Sequence, residues 1–374
     1  MKTTSPLQKL KTLGQSVWLD YIQRGILDNG EVARMIISDG LAGITSNPAI
    51  FEKAIIEHDD YDQAVTLLAR NGTSASEIYE ILAIEDVQRA ADLFRPVYEE
   101  SNGQDGFVSL EVSPYLAYNT ESTVAEAKRL WIKLDRPNVM IKVPATRDGL
   151  PAITQLITAG INVNVTLLFG ITRYQEVANA FIGGLQKRAS QHKPIEHIAS
   201  VASFFLSRID TLVDKQLDKL AENESVNITH PLRGQAAVAS ARLAYQHYRK
   251  WTDSEYWQEL ARKGARPQRL LWASTSAKDP AYSDIKYIEP LIGRETVNTM
   301  TLQTLSAYRD HGQPAERIEQ ELDMAAVIPR QLGELGIDLE VVSKQLEEEG
   351  VQEFIDPYHT LLENLEQKRF SLIG

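Results

Sequence analysis

Seven of the eight short apolar runs in this chain carry a polar or ionisable residue near their C-terminal end. The run at 16–20 (SVWLD) ends in Asp20, and that at 42–45 (AGIT) leads into Thr45-Ser46-Asn47-Pro48. Glu111 sits in 107–112, Lys142 in 138–143, and Asn164 and Thr166 in 161–168. Ser203 closes 197–203, and 269–275 runs into Ser274 and Ser276. An ionisable group in a buried strand costs several kcal/mol unless it is paired or put to use. Lys142 stands between Val139-Met140-Ile141 and Val143-Pro144. A strand lysine ordinarily keeps its ammonium in water at the end of a buried stem, as Lys133 in the polar segment WIKLD is expected to do. Apolar neighbours on both sides make that escape difficult for Lys142. An amine kept from water loses its charge more easily and can attack a carbonyl to form a Schiff base.

Two readings are open for Glu111 and Asp20. Either carboxylate could simply neutralise Lys142. Imine chemistry also needs a proton donor for the departing hydroxyl and a base at a neighbouring hydroxyl, roles that two carboxylates in different surroundings can divide. Asn47-Pro48 has the composition of a turn. The Asn164 amide, inside an apolar run, must bond either a neighbouring side chain or a sugar hydroxyl. Arg208, five residues beyond Ser203, reads by itself as a surface arginine. The stretch Ser274-Thr-Ser276-Ala-Lys278 offers hydroxyls and a cation to an anion such as phosphate.

Continuous Val/Ile/Leu runs suit parallel strands covered on both faces. The segments between them carry apolar residues at helical spacing, as in 121–134, 149–160, 172–189 and 233–251. Thr120 and Ser122 stand where helix caps belong, and Gly160 ends a helix. Eight strands alternating with helices predict an α/β fold, and the count favours a closed (β/α)8 barrel over an open doubly wound sheet. Neither GxGxxG nor GxxxxGK[ST] follows a strand. In such a barrel the C-terminal strand ends converge on one rim, so the polar residues above would face one another. The excursions at 46–106 and 204–268 are expected to hold extra helices. We expect a single domain, with the barrel over about 16–312 and a helical extension over 313–374 that packs on the barrel or covers its mouth.

The 374 residues carry 39 Lys+Arg against 51 Asp+Glu, a formal charge of −12, with no cysteine. Thiolate chemistry and disulfides are therefore excluded, and the acidic balance argues against nucleic-acid partners. The seven histidines are scattered without HxH or HxxxH pairs, so no metal site is expected. The N-terminal residues lack a signal-peptide core and no run approaches a membrane span, which predicts a cytoplasmic protein without membrane partners. Oligomeric state is not legible.

These residues resemble the signatures of the transaldolase family. Gly43-Ile-Thr-Ser-Asn-Pro-Ala-Ile-Phe51 resembles its T-[ST]-N-P block, and Met140-Ile-Lys142-Val-Pro-Ala-Thr146 resembles the segment bearing its Schiff-base lysine. Asn162-Val-Asn164-Val-Thr166-Leu-Leu-Phe169, Ser203-Phe-Phe-Leu-Ser-Arg208 and Trp272-Ala-Ser274-Thr-Ser276 resemble three further blocks in the same order. The matches run from about Asp20 to Met300. The resemblance implies a class I aldolase-type barrel with the lysine on the fourth strand. It also implies transfer of a dihydroxyacetone unit from sedoheptulose 7-phosphate to glyceraldehyde 3-phosphate in the pentose phosphate pathway, without a cofactor. It assigns imine formation to Lys142, proton relay to Glu111 through a water held by Thr166, and the cleavage base to Asp20. Asn47 and Asn164 would bind substrate hydroxyls, Ser203 would line the pocket, and Arg208 and Ser274 would bind phosphate. Better-known members carry an arginine where this chain has Ser276. Lys278 is the replacement cation expected here, a point charge rather than a fork. The rival readings are an aldolase that releases free dihydroxyacetone, in the manner of fructose-6-phosphate aldolase, and a non-catalytic sugar-phosphate sensor. The sensor would need no buried lysine beside two carboxylates.

Overall fold

Eight parallel strands pair in chain order, and the last pairs with the first, which closes a barrel. They are β1 (Gln15–Asp20), β2 (Leu41–Thr45), β3 (Phe107–Glu111), β4 (Val139–Pro144), β5 (Val163–Leu168), β6 (Ser200–Phe205), β7 (Arg269–Ala273) and β8 (Thr296–Met300). This computed structural model describes residues 5–222 and 230–373. The expected (β/α)8 barrel is the observed fold. Register brings the ionisable residues together: Lys142 lies opposite Glu111 on one side and Asn164 on the other, and Asp20 lies opposite Thr45.

Helix α1 (Pro6–Thr12) precedes the barrel, and α2 (Arg24–Asp28) and α3 (Glu31–Asp39) join β1 to β2. The excursion after β2 holds α4 (Pro48–Glu57), α5 (Asp62–Arg70) and the 26-residue α6 (Ala75–Glu100). Single helices α7 (Thr120–Leu134), α8 (Gly149–Ala159) and α9 (Ile171–Ser190) follow β3, β4 and β5. The second excursion holds α10 (Ser207–Ala221), α11 (Ala236–Thr252) and α12 (Glu255–Arg262), as its length required. After β8 come α13 (Leu302–His311), α14 (Leu322–Glu334) and the 35-residue α15 (Leu339–Ile373).

Trp18 fills the barrel interior, and Gly43 on β2 makes room for it. A Cβ at Gly43 would stand 2.7 Å from the indole and 2.7 Å from the Phe107 carbonyl oxygen. The Trp18 indole N–H donates to Asp105 at 3.3 Å, and Asp105 also pairs with Arg269 at 2.9 Å. This network lies towards the N-terminal strand ends. A cavity of about 850 Å³ around Gln15, Ser16, Arg266 and Arg269 opens there and contains none of the expected site residues.

Two details depart from expectation. The cap of α7 is Asn119, not Thr120 or Ser122: its side-chain oxygen accepts from the Ser122 backbone N–H at 2.9 Å. Thr120 is the first helical residue and donates instead to the Asp148 carbonyl at 2.6 Å. Strand β6 starts at Ser200 rather than at 197 and continues to Phe205, so Ser203 lies within the strand. Gly160 closes α8 in the left-handed conformation, as expected.

Candidate active site

Lys142 is 4 % exposed, and its side chain points into the barrel beneath the rim. Its amine lies 3.2 Å from Glu111 Oε2 and donates to the Ser46 carbonyl at 3.0 Å. The solvated comparison holds: the Lys133 side chain is 51 % exposed and pairs with Glu80 on the surface. Lys142 therefore occupies the enclosed position that its two-sided apolar run implied, with a carboxylate in contact.

The two carboxylates share this enclosure and differ in their partners. Burial pushes Glu111 up to about 7, against the opposing pull of Lys142, with Asp20 adding to the rise. Asp20 is also raised by burial, opposed by the Lys142 charge, a Thr45 hydrogen bond and Lys278. Thr45 Oγ1 donates to Asp20 at 2.7 Å and lies 2.8 Å from Thr299 Oγ1. A carboxyl near 7 is suited to giving and taking a proton at neutral pH.

Asp20, Thr45, Asn47, Lys142 and Ser203 line a cavity of about 170 Å³ at the C-terminal strand ends, together with Arg208, Ser274, Ser276, Lys278 and Phe354. Seven of the ten expected residues, Asp20, Asn47, Lys142, Ser203, Arg208, Ser274 and Lys278, thus line one cavity. Asn47 is also structural, because its Oδ1 caps α4 by accepting from Ile50 N–H at 3.0 Å. Glu111, Asn164 and Thr166 are not among the lining residues. Asn164 donates to Ser109 Oγ at 3.0 Å and accepts from Ser203 Oγ at 2.7 Å, so of its two open partners the structure displays side chains. Thr166, two residues along β5 and on the same face, keeps a fully buried hydroxyl without a protein partner.

At the opposite side of the cavity, Arg208 lies in the first turn of α10 and stacks 5.4 Å above the Phe205 ring. Burial holds its guanidinium below the usual value, opposed by Glu353. Ser274 takes a left-handed backbone with φ 52°, and its hydroxyl lies 2.7 Å from that of Ser207. Leu167, just past Thr166, is left-handed as well, with φ 57°. Such backbone costs about 1–3 kcal/mol per residue and concentrates at functional sites. Ser276, which also lines the cavity, has its hydroxyl within hydrogen-bond distance of Thr304 (2.8 Å) and Thr301 (3.2 Å).

Residues of α15 complete the site, and none of them was singled out from the sequence. The Phe354 ring centre lies 5.2 Å from the Lys142 amine, and Glu353 forms an ion pair with Arg208. The extension therefore covers the mouth. An amphipathic helical pattern specifies one buried face but not which surface it meets, so no local signal identified these two residues.

Comparisons with known proteins assign the chain to a family. A family model described as transaldolase/fructose-6-phosphate aldolase matches residues 17–365. The chain belongs to that family. Among its relatives, a transaldolase of Thiobacillus denitrificans is 48 % identical, the alignment covering 94 % of this chain and 96 % of that protein. A transaldolase of Trichodesmium erythraeum is 45 % identical over 98 % of both chains. One from Thermobifida fusca is 46 % identical over 97 % of this chain and 98 % of its own. The family match ends at residue 365, so most of α15, including Glu353 and Phe354, lies within the matched region.

Proposed function

We propose that this chain is a transaldolase that moves a dihydroxyacetone unit from sedoheptulose 7-phosphate to glyceraldehyde 3-phosphate through a Schiff base on Lys142. The observation that carries the reading is the enclosed Lys142 amine, 3.2 Å from Glu111 and open to a cavity that also holds Asp20. The amine attacks the ketose carbonyl carbon and gives a carbinolamine. Glu111 returns a proton to the departing hydroxyl, which leaves as water, and the imine forms. The buried Thr166 hydroxyl supports the relay, since a water held there would join Glu111 to the reacting oxygen. Asp20 takes the proton of the hydroxyl beyond the scissile carbon–carbon bond. That bond breaks, the aldose phosphate leaves, and the electron pair passes into the enamine on Lys142. The acceptor aldehyde then meets the enamine, and the steps run in reverse until water releases the product.

Arg208 and Ser274 hold the substrate phosphate in this reading, with Lys278 as the outer cation, while Asn47 and Ser203 contact hydroxyls. Asn164 acts through Ser203. The enzyme works in the cytoplasm, and no helix among the described residues is long and apolar enough to cross a membrane.

Borohydride reduction in the presence of fructose 6-phosphate, followed by peptide mass mapping, tests the mechanism. A three-carbon adduct on Lys142 is expected, and an adduct on another lysine overturns the assignment. Product analysis with and without glyceraldehyde 3-phosphate separates transfer from the free-aldolase alternative. Transfer is expected to dominate, with little free dihydroxyacetone.

A further inference from the structure

Among the described residues, Arg208 is the single arginine lining the cavity, and it is already occupied by Glu353 of α15. The Arg208 nitrogen is buried, but the Glu353 side chain is 55 % exposed, so its carboxylate can return to water when another anion takes its place. The next residue, Phe354, stands over the Lys142 amine. Glu353 and Phe354 thus sit on the phosphate end and the amine end of one cavity. At about 170 Å³ that cavity is smaller than the ~300 Å³ or more usual for small-molecule sites. A sugar phosphate needs room that this stretch of α15 occupies.

The helix is built to yield at this stretch. Pro357 has no N–H, so the carbonyl of Glu353, four residues earlier, receives no intrahelical hydrogen bond from it. Prolines are the commonest cause of helix bends. On either side α15 is pinned: Glu347 pairs with Arg173 at 3.0 Å, and Lys368 donates to the Ile55 carbonyl at 3.1 Å. The weak point coincides with the two residues over the cavity.

Resting on the phosphate reading of Arg208, we propose that Glu353 is a specificity-determining residue, a built-in anion that a substrate phosphate displaces from Arg208, drawing Phe354 away from Lys142 as it leaves. A phosphate dianion offers the guanidinium fork a bidentate, charge-assisted partner and wins the exchange. A neutral sugar cannot make the exchange, so the amine stays covered. A carboxylate on Arg208 neutralises the one forked cation that lines the cavity among the described residues.

Two measurements test this in the full-length protein. Inorganic phosphate should bind Glu353→Gln about three- to tenfold more tightly than the native protein by calorimetry, with Glu353→Asp closer to native. Inorganic phosphate should also speed borohydride trapping of unphosphorylated dihydroxyacetone on Lys142 in the native protein, by about three- to tenfold, and change it little in Glu353→Gln. Unchanged phosphate affinity in Glu353→Gln, or no acceleration of trapping in the native protein, overturns the proposal. Arg208→Ala separates the two levels of argument. If it binds phosphate as well as native protein does, the phosphate assignment of Arg208 itself has failed. If it loses phosphate while Glu353→Gln gains none, only the role of Glu353 has failed.

Discussion

Lys142, Glu111 and Asp20 form one electrostatic unit, and replacements within it should be read together. Lys142→Ala removes the attacking amine and is expected to abolish turnover and borohydride trapping. Arg208→Ala should raise KM for phosphorylated substrates far more than it changes kcat, because it removes binding shared by ground and transition states. Equal effects on unphosphorylated substrates would refute the phosphate role. Glu111 also leaves a mark on stability. Its folded pKa, about 7, lies above the ordinary 4.5, so between those values the native state holds the proton that the unfolded chain has released. The Glu111 contribution to native stability should therefore fall as pH rises from about 4.5 to 7 and then level off. Glu111→Gln should show a shallower decline over that range in urea titrations at a series of pH values. The buried ionisable residues were legible because an ionisable side chain in a Val/Ile run demands an explanation. Glu353 and Phe354 were not, since a glutamate and a phenylalanine on an acidic amphipathic helix are ordinary until the helix is docked.

At the scale of elements, the strands could be read closely because parallel barrel strands are short apolar runs between longer helical segments. β1, β2 and β4 lie within a residue of their expected limits at each end, and the main drift is the later start of β6. Ile198 and Ala199, just ahead of β6, are buried as well, so hydrophobicity alone could not mark where pairing begins. The α7 cap was misread because Asn119, Thr120 and Ser122 are all capable caps, and only backbone geometry selects among them. Asn119→Ala should destabilise by about 1 kcal/mol, whereas Ser122→Ala should be near neutral, as chemical denaturation would reveal. Gly43→Ala is the more severe change. Its methyl group meets a backbone oxygen and an indole packed on all sides, so a loss of about 1–3 kcal/mol or more is expected.

At the scale of the molecule, barrel and extension read as one cooperative body, and we propose that they form a single domain. α15 packs on α4, α5, α6 and α10. It buries Val342, Leu346, Val351, Phe354, Leu361 and Leu365. Burial of a large apolar side chain is worth roughly 1.5–3 kcal/mol, so this interface is comparable to the whole margin of a folded domain. Calorimetry should show one unfolding transition, and a separate early transition for α15 would divide the molecule into two units. The barrel class followed from counting strands. The resting place of α15 did not, because it depends on grooves formed by helices far apart in the chain.

The order of the elements along the chain adds a consequence for biosynthesis. All eight strands precede α15, so every barrel strand is synthesised before the helix that completes its packing. Because that helix supplies burial comparable to the whole folding margin, the barrel is expected to become stable only once α15 has left the ribosome and docked.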